Sequence, residues 1–382
     1  MITGRLQGRR QSRSLIQKLS ELNLFIIVVV IMIALIGFAL LYSVAGGSVE
    51  PWAKRQIIRF VIGMFGMVVI AVVDIRVWMF LAYPFYFLSL FLLIIVSVMG
   101  QAGMGATRWI NLGFMNLQPS ELMKIALILA LARYYHCLDK EDVGQYRRLI
   151  IPIFLITAPV ILVLMQPDLG TSLLIIAGGV AILFCGGVKL WLFLVGLIGM
   201  LPTAFGAWSY MKPYQQNRVL TFLNPERDPL GAGYHSIQAK IAVGSGGVYG
   251  KGFIQGSQSQ LNFLPEKQTD FIFTVLAEEF GLIGGVMLIG LYIILLAYAL
   301  IVCMSVRSQF GRLLSFGMAV TFFLYMFINV AMNLGMVPVV GVPLPLVSYG
   351  GSAMLTLLVG IGFVLCSAIH RDTSISRGGA FA

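Results

Sequence analysis

An all-α integral membrane fold of about ten transmembrane helices is predicted by composition, by the length of the apolar runs and by the placement of basic residues. Of the 382 residues 59% are hydrophobic and only 11% charged. Water-soluble domains carry roughly 25% charged residues, so these charges cannot cover a water-facing surface. The apolar runs are long and uninterrupted, whereas an outer-membrane barrel would show alternating strands of about ten residues. Lipid offers no hydrogen bonds, so such runs close their backbone bonds only as helices.

The first run, Leu24–Val44, is 21 residues long, longer than the short core of a cleavable secretory signal, and is expected to stay as an anchor. Further runs lie at 57–73, 78–99, 120–132, 149–165, 171–185, 190–207, within 271–304, at 313–334 and at 353–369. The run at 120–132 is short and polar at its start. With the amino terminus inside, the cytoplasmic segments collect Arg5, Arg9, Arg10, Arg13, Lys18, Arg76, Arg133, Lys140, Arg147, Arg148, Lys189, Arg307, Arg312, Arg371 and Arg377. The short outer loops hold Lys54, Arg55, Arg59 and Arg108, so the bias places both termini in the cytoplasm although the cluster at 54–59 runs against it. The net charge of +11 is thereby assigned to the membrane surface, and no nucleic-acid partner is expected.

The whole chain, 1–382, reads as a single polytopic membrane domain, with one large extracytoplasmic loop at 208–270 between spans seven and eight. Long loops in compact proteins are usually functional or disordered. Within this one, 233–243 mixes apolar and polar residues as an interfacial helix would. Cys137, Cys185, Cys303 and Cys366 lie singly in or beside apolar runs, so neither a disulfide nor a cysteine metal site is expected.

Four stretches carry chemistry. The outer loop ends in Leu264-Pro265-Glu266-Lys267-Gln268-Thr269-Asp270-Phe271, which sets a carboxylate where a helix re-enters the membrane. Asp270 there is either a helix cap or a general base whose pKa partial desolvation raises towards the working range. In Gln118-Pro119-Ser120-Glu121-Leu122-Met123-Lys124, Glu121 and Lys124 share one helix face in the first turns of an apolar span. Charges within a bilayer face the bundle interior and pair, so the two form either a structural ion pair or the polar wall of a substrate cavity. Gln166-Pro167-Asp168-Leu169-Gly170 is a tight turn in which Asp168 is expected to cap the following span. The Pro- and Gly-dense segment 342–352 implies irregular backbone at membrane depth, tolerated where protein or water satisfies it.

Other motifs fail. Gly244-Ser245-Gly246-Gly247-Val248-Tyr249-Gly250-Lys251-Gly252 has the wrong spacing for a phosphate loop and Gly252 in place of the required Ser or Thr. His136, His235 and His370 are far apart, against a histidine zinc centre. No hydrolase triad is evident.

Taken in order, Arg108-Trp109-Ile110-Asn111, Gln118-Pro119-Ser120-Glu121 with Lys124, Gln166-Pro167-Asp168-Leu169-Gly170, Asn224-Pro225-Glu226-Arg227-Asp228-Pro229, Leu264-Pro265-Glu266 with Thr269-Asp270-Phe271, and Pro345-Leu346-Val347-Ser348-Tyr349-Gly350-Gly351 resemble the motifs of the SEDS family, the shape, elongation, division and sporulation proteins. Gly233-Tyr234-His235, 256–261 and the short tails lean towards its elongation branch rather than its division branch. Gln268 departs from the pattern, since many members carry His there.

The resemblance implies a peptidoglycan glycosyltransferase that joins lipid II units outside the cytoplasmic (inner) membrane, with Asp270 essential as general base and undecaprenyl pyrophosphate leaving. Arg108, Lys124, Arg218, Lys251 and Lys267 are then candidates to clamp the diphosphate, with room for a divalent cation, Mg or Mn. Trp109, Glu121, Asp168, Thr269 and Ser348 would line the cavity. Lipid II, undecaprenyl chains and a class B penicillin-binding protein are the implied partners. A lipid II flippase is the main rival, although a pump would spread ionisable groups across the midplane of several helices. A scaffold that only recruits the transpeptidase is a third reading.

Overall fold

A computed structural model of the chain describes residues 15–99, 101–103, 106–111, 116–139, 141–199, 213–224, 232–261 and 266–376. A short helix, α1 (Leu15–Ser20), precedes α2 (Leu24–Val44), α3 (Trp52–Val72) and α4 (Ile75–Met99). A small antiparallel sheet, β1 (Gln101–Gly103), β2 (Ala106–Asn111) and β3 (Asn116–Leu117), leads into α5 (Pro119–Cys137). Helices α6 (Tyr146–Met165), α7 (Leu169–Gly186) and the short α8 (Leu190–Gly199) follow. Then come α9 (Pro213–Leu223), α10 (Ala232–Ser245), α11 (Ser257–Gln260), α12 (Ile272–Ser305), α13 (Gln309–Asn333) and α14 (Gly351–Ile369).

Among the described residues eight helices, α2, α3, α4, α6, α7, α12, α13 and α14, are long and apolar enough to cross a membrane. Of the other two expected spans, α5 has the length at 19 residues but carries Glu121, Lys124 and Arg133. The described part of the seventh run, α8, is shorter. Helix α3 begins at Trp52, before the expected 57, because Lys54, Arg55 and Arg59 ride on its first turns.

Helix α5 lies at the centre. Its residues from Pro119 to His136 are almost all buried, which is what a helix apolar on every side requires. It packs against α4, α7 and α13, while α14 packs against α3 and α13. Two apolar clusters result. One joins α4, α5, α6, α7 and α13, and the other joins α2, α3, α12, α13 and α14. Pro84 in α4 and Pro152 and Pro159 in α6 fit membrane helices, where neighbouring groups take up the freed carbonyls.

Of the expected large loop, α9, α10 and α11 are the helical parts described. The interfacial helix expected at 233–243 is α10, which sets Ala239 and Ala242 against Phe271 at the start of α12.

The Gly-rich stretch rejected as a phosphate loop has a structural task. Helix α12 is broken at Gly281 (φ 63°, ψ −158°), and the loop strand 247–252 supplies the backbone bonds that the break removes. Leu282 and Ile283 donate to the carbonyls of Gly247 and Val248 at 3.0 and 3.2 Å, while Lys251 and Gly252 donate to those of Glu278 and Glu279 at 3.0 Å each. A Cβ on Gly250, itself at φ +80°, would lie 2.1 Å from the Glu279 carbonyl oxygen, so glycine alone permits this approach.

Candidate functional site

Asp270 is half-buried at the end of the loop, two residues before the start of α12. The N-cap residue of α12 is Phe271. The backbone of Asp270 is pinned from α13: the side-chain amides of Asn329 and Asn333 donate to its carbonyl at 3.1 and 2.9 Å. Asn329 also donates to the Val342 carbonyl at 2.7 Å, and Thr274 donates to the Asn333 amide oxygen at 2.6 Å. Both asparagines are fully buried, so every polar atom placed there must be met by a partner. A Cβ on Gly341 would stand 3.5 Å from the Asp270 Oδ2, which puts the carboxylate against the segment 337–345.

That segment and the Asp270 turn are laced together. Ser348 Oγ donates to the Thr269 carbonyl at 2.6 Å and accepts from Leu344 N at 2.8 Å, while Tyr349 N donates to the Gln268 carbonyl at 2.8 Å. Thr269 Oγ1 donates to Glu266 Oε2 at 2.9 Å. Glu266 (φ 53°) and Leu346 (φ 62°) take left-handed backbone on the two sides of this contact, a strained conformation of the kind that surrounding structure must enforce.

Glu121 and Lys124 form the expected pair, Nζ to Oε1 at 2.7 Å, both buried. Tyr325 of α13 completes it, donating to Glu121 Oε2 at 2.6 Å, hydrogen-bonded to Lys124, and offering its ring face 4.4 Å from the ammonium. Tyr325, Asn329 and Asn333 are four residues apart, so they form one stripe of α13 spanning about 12 Å. One end of that stripe holds the buried ion pair and the other holds Asp270.

Asp168 accepts from Thr171 N at 3.2 Å and Thr171 Oγ1 at 2.9 Å, capping α7. The α7 amino terminus reaches the site all the same, because a Cβ on Gly170 would meet the Val340 carbonyl at 2.9 Å, next to Gly341. Trp109 lies half-buried on β2, opposite Gln101. The side chains of Arg108 and Arg218 lie outside the described residues.

Two of the candidate cations, Lys251 and Lys267, have partners within the loop and α12. Lys251 pairs with the buried Glu278 at 2.9 Å and with Ser257 Oγ at 2.8 Å. Glu278 also accepts from Gln258 N and Ser259 N, and its neighbour Glu279 is held by Ser43 of α2. Lys267 is buried and donates to the Ser259 carbonyl at 2.6 Å, and burial holds its pKa below the usual lysine value. Both lysines therefore organise the loop.

Arg59 takes a place that the sequence reading did not assign. Its guanidinium lies 5.1 Å over the Tyr349 ring and against Gly351 at the start of α14. One helical turn earlier, Gln56 donates to the Ser348 carbonyl at 2.8 Å. Among the described residues no carboxylate lies within ion-pair distance of Arg59. The i, i+3 spacing of Gln56 and Arg59 on an apolar helix is the signal in the sequence for this placement.

The bundle and this polar stripe define a multi-pass helical membrane protein with a carboxylate held at one end of the buried stripe and an ion pair at the other. The chain belongs to the FtsW, RodA and SpoVE family of cell cycle proteins, whose family model matches residues 18–374. It is 44% identical over 347 residues to the peptidoglycan glycosyltransferase MrdB of Escherichia coli (strain K12), covering 89% of this chain and 92% of that protein. Among solved structures it is similar to a chain of a peptidoglycan synthase complex described as coordinating polymerization and crosslinking, with TM-score 0.80 and 33% identity over 92% of this chain and 99% of that one. It is also similar to the rod shape determining protein RodA of Thermus thermophilus, with TM-score 0.68 and 29% identity over 92% and 98% of the two chains.

Proposed function

We propose that this protein is a peptidoglycan glycosyltransferase that polymerises lipid II into glycan strands at the outer face of the cytoplasmic membrane during cell elongation, with both termini in the cytoplasm. The observation that carries the reading is the carboxylate of Asp270, whose backbone carbonyl is held by two asparagines of α13. A general base must be held in place before its pKa matters.

In this mechanism Asp270 takes the proton of the acceptor sugar's 4-hydroxyl. That oxygen bonds to the anomeric carbon of the donor as the carbon–oxygen bond to undecaprenyl pyrophosphate breaks, with inversion. The bond electrons leave on the diphosphate, whose growing charge calls for fixed cations. Lys124 at the far end of the stripe and Arg59 beside Tyr349 serve best, with Arg108 and Arg218 as further candidates, while Lys251 and Lys267 act through loop order. Trp109, Glu121, Asp168, Thr269 and Ser348 shape the same region. Among the described residues no three His, Cys, Asp or Glu side chains cluster as a metal cage.

A class B penicillin-binding protein is the partner this function calls for, and the likeness to a synthase complex that couples polymerization to crosslinking supports it. Sealed liposomes holding the protein and that partner test the reading against the flippase alternative. Labelled lipid II is expected to give glycan strands that disappear on Asp270→Ala; movement of lipid II across the bilayer without polymer overturns the proposal.

A further inference from the structure

At the end of the bundle opposite Asp270 lies a cavity of about 580 Å³, within the size range of small-ligand sites. Its polar lining comes from Arg307, Ser308, Gln309 and Arg312 around the start of α13, with His136 of α5 and Ser374 of the tail. Its lining contains no Asp or Glu among the described residues. Neither arginine has a carboxylate within ion-pair distance among those residues, and both are exposed. The nearby carboxylate of Asp142 is drawn off by Gln145 at 2.7 Å and Arg148 at 3.4 Å, and Asp372 pairs with Arg371 at 3.7 Å.

Apolar side chains on the wall are Leu138 and Val143 after α5, Leu313 of α13 and Ile375 of the tail. The tail is tied over it by Arg307 N to the Arg371 carbonyl at 3.0 Å and by Arg76 to the Ser374 carbonyl at 3.4 Å. The Lys189 stem lies over Gly144, next to this wall. Trp191, at the start of α8 on the same end, is 49% exposed, the place of an aromatic side chain at a membrane–water boundary. The cavity thus lies at headgroup depth, cationic on one side and apolar on the other.

We propose that this cavity binds the phosphodiester headgroup of an anionic glycerophospholipid, with Arg307 and Arg312 on the phosphate and the first methylenes of an acyl chain against Leu138, Leu313 and Ile375. Guanidinium forks match phosphate oxygens in pairs, and basic recesses between membrane helices are where such headgroups settle. A soluble phosphate would leave the apolar wall wet.

The test uses the full chain in zwitterionic micelles, titrated with cardiolipin or phosphatidylglycerol and read by native mass spectrometry. Wild type is expected to retain anionic lipid, with retention about ten-fold or more lower in Arg307→Gln/Arg312→Gln, unchanged in Arg147→Gln, and restored by Arg307→Lys/Arg312→Lys. Arg312→Gln alone, on an exposed position, serves if the double variant does not fold. Equal retention in the arginine variants and wild type, equal loss in Arg147→Gln, or binding of glycerol phosphate as tight as that of the lipid overturns the proposal.

Discussion

The side-chain amide of Asn333 donates to the backbone carbonyl of Asp270 at 2.9 Å, so the carboxylate is positioned by a residue that follows it by 63 positions in the chain. The second bond of that amide, to the Asn329 carbonyl at 2.8 Å, fixes its orientation.

Asn333→Ala is expected to leave the Asp270 carbonyl with one amide donor instead of two and to orphan the Thr274 hydroxyl. An unmet buried polar group costs about 1–3 kcal/mol, so the melting midpoint in detergent falls and the polymerisation rate falls with it. A rate equal to wild type would show that Asn329 alone holds the turn.

Breaking the Glu121–Lys124 pair from one side leaves a buried charge unmatched, which costs about 3–5 kcal/mol. Lys124→Met is therefore expected to destabilise more than the double variant Glu121→Gln/Lys124→Met, and unfolding measurements on the two singles and the double give the coupling. Activity should be lost in every variant lacking Lys124, including the stabler double, if the ammonium also serves the leaving diphosphate.

Gly250→Ala forces a Cβ into the Glu279 carbonyl, opening the stitch across the α12 break. Limited proteolysis is expected to cut the segment 247–261 faster, with polymerisation reduced and the helical circular dichroism kept. Gly244→Ala, where a Cβ meets nothing within 4 Å, is the control and should behave as wild type.

Arg59→Gln removes the cation stacked on Tyr349 and is expected to raise the KM for lipid II about ten-fold, since charge-assisted contacts to phosphate contribute roughly 1.5–3 kcal/mol. Arg59→Lys should recover part of it, as a point charge without the planar fork. An unchanged saturation curve for Arg59→Gln would remove it from the clamp.

The bundle was legible because lipid imposes length: the first run read from hydropathy, Leu24–Val44, coincides with α2. The approach of Asp270 to the start of α12 was legible for the same reason, since polar loop gives way to apolar helix at that residue. The stripe Tyr325, Asn329 and Asn333 was not, because single polar residues in an apolar helix carry no motif; only their spacing of four marks one face. Lys251 and Lys267 are candidates for the diphosphate by charge. Their partners, Glu278 and the Ser259 carbonyl, depend on how the loop folds back onto α12, which no local pattern encodes. The use of the Gly-rich stretch as a patch for a broken helix needed the broken helix to be seen.

The most direct test of Asp270 as the base is the initial rate of glycan strand formation by Asp270→Asn, in complex with the transpeptidase and with a melting midpoint matching wild type. The amide keeps the shape and the backbone bonds but accepts no proton, so the rate is expected to fall by about 10²–10⁴. A rate within about twofold of wild type would contradict the assignment, because a lost general base cannot be that cheap.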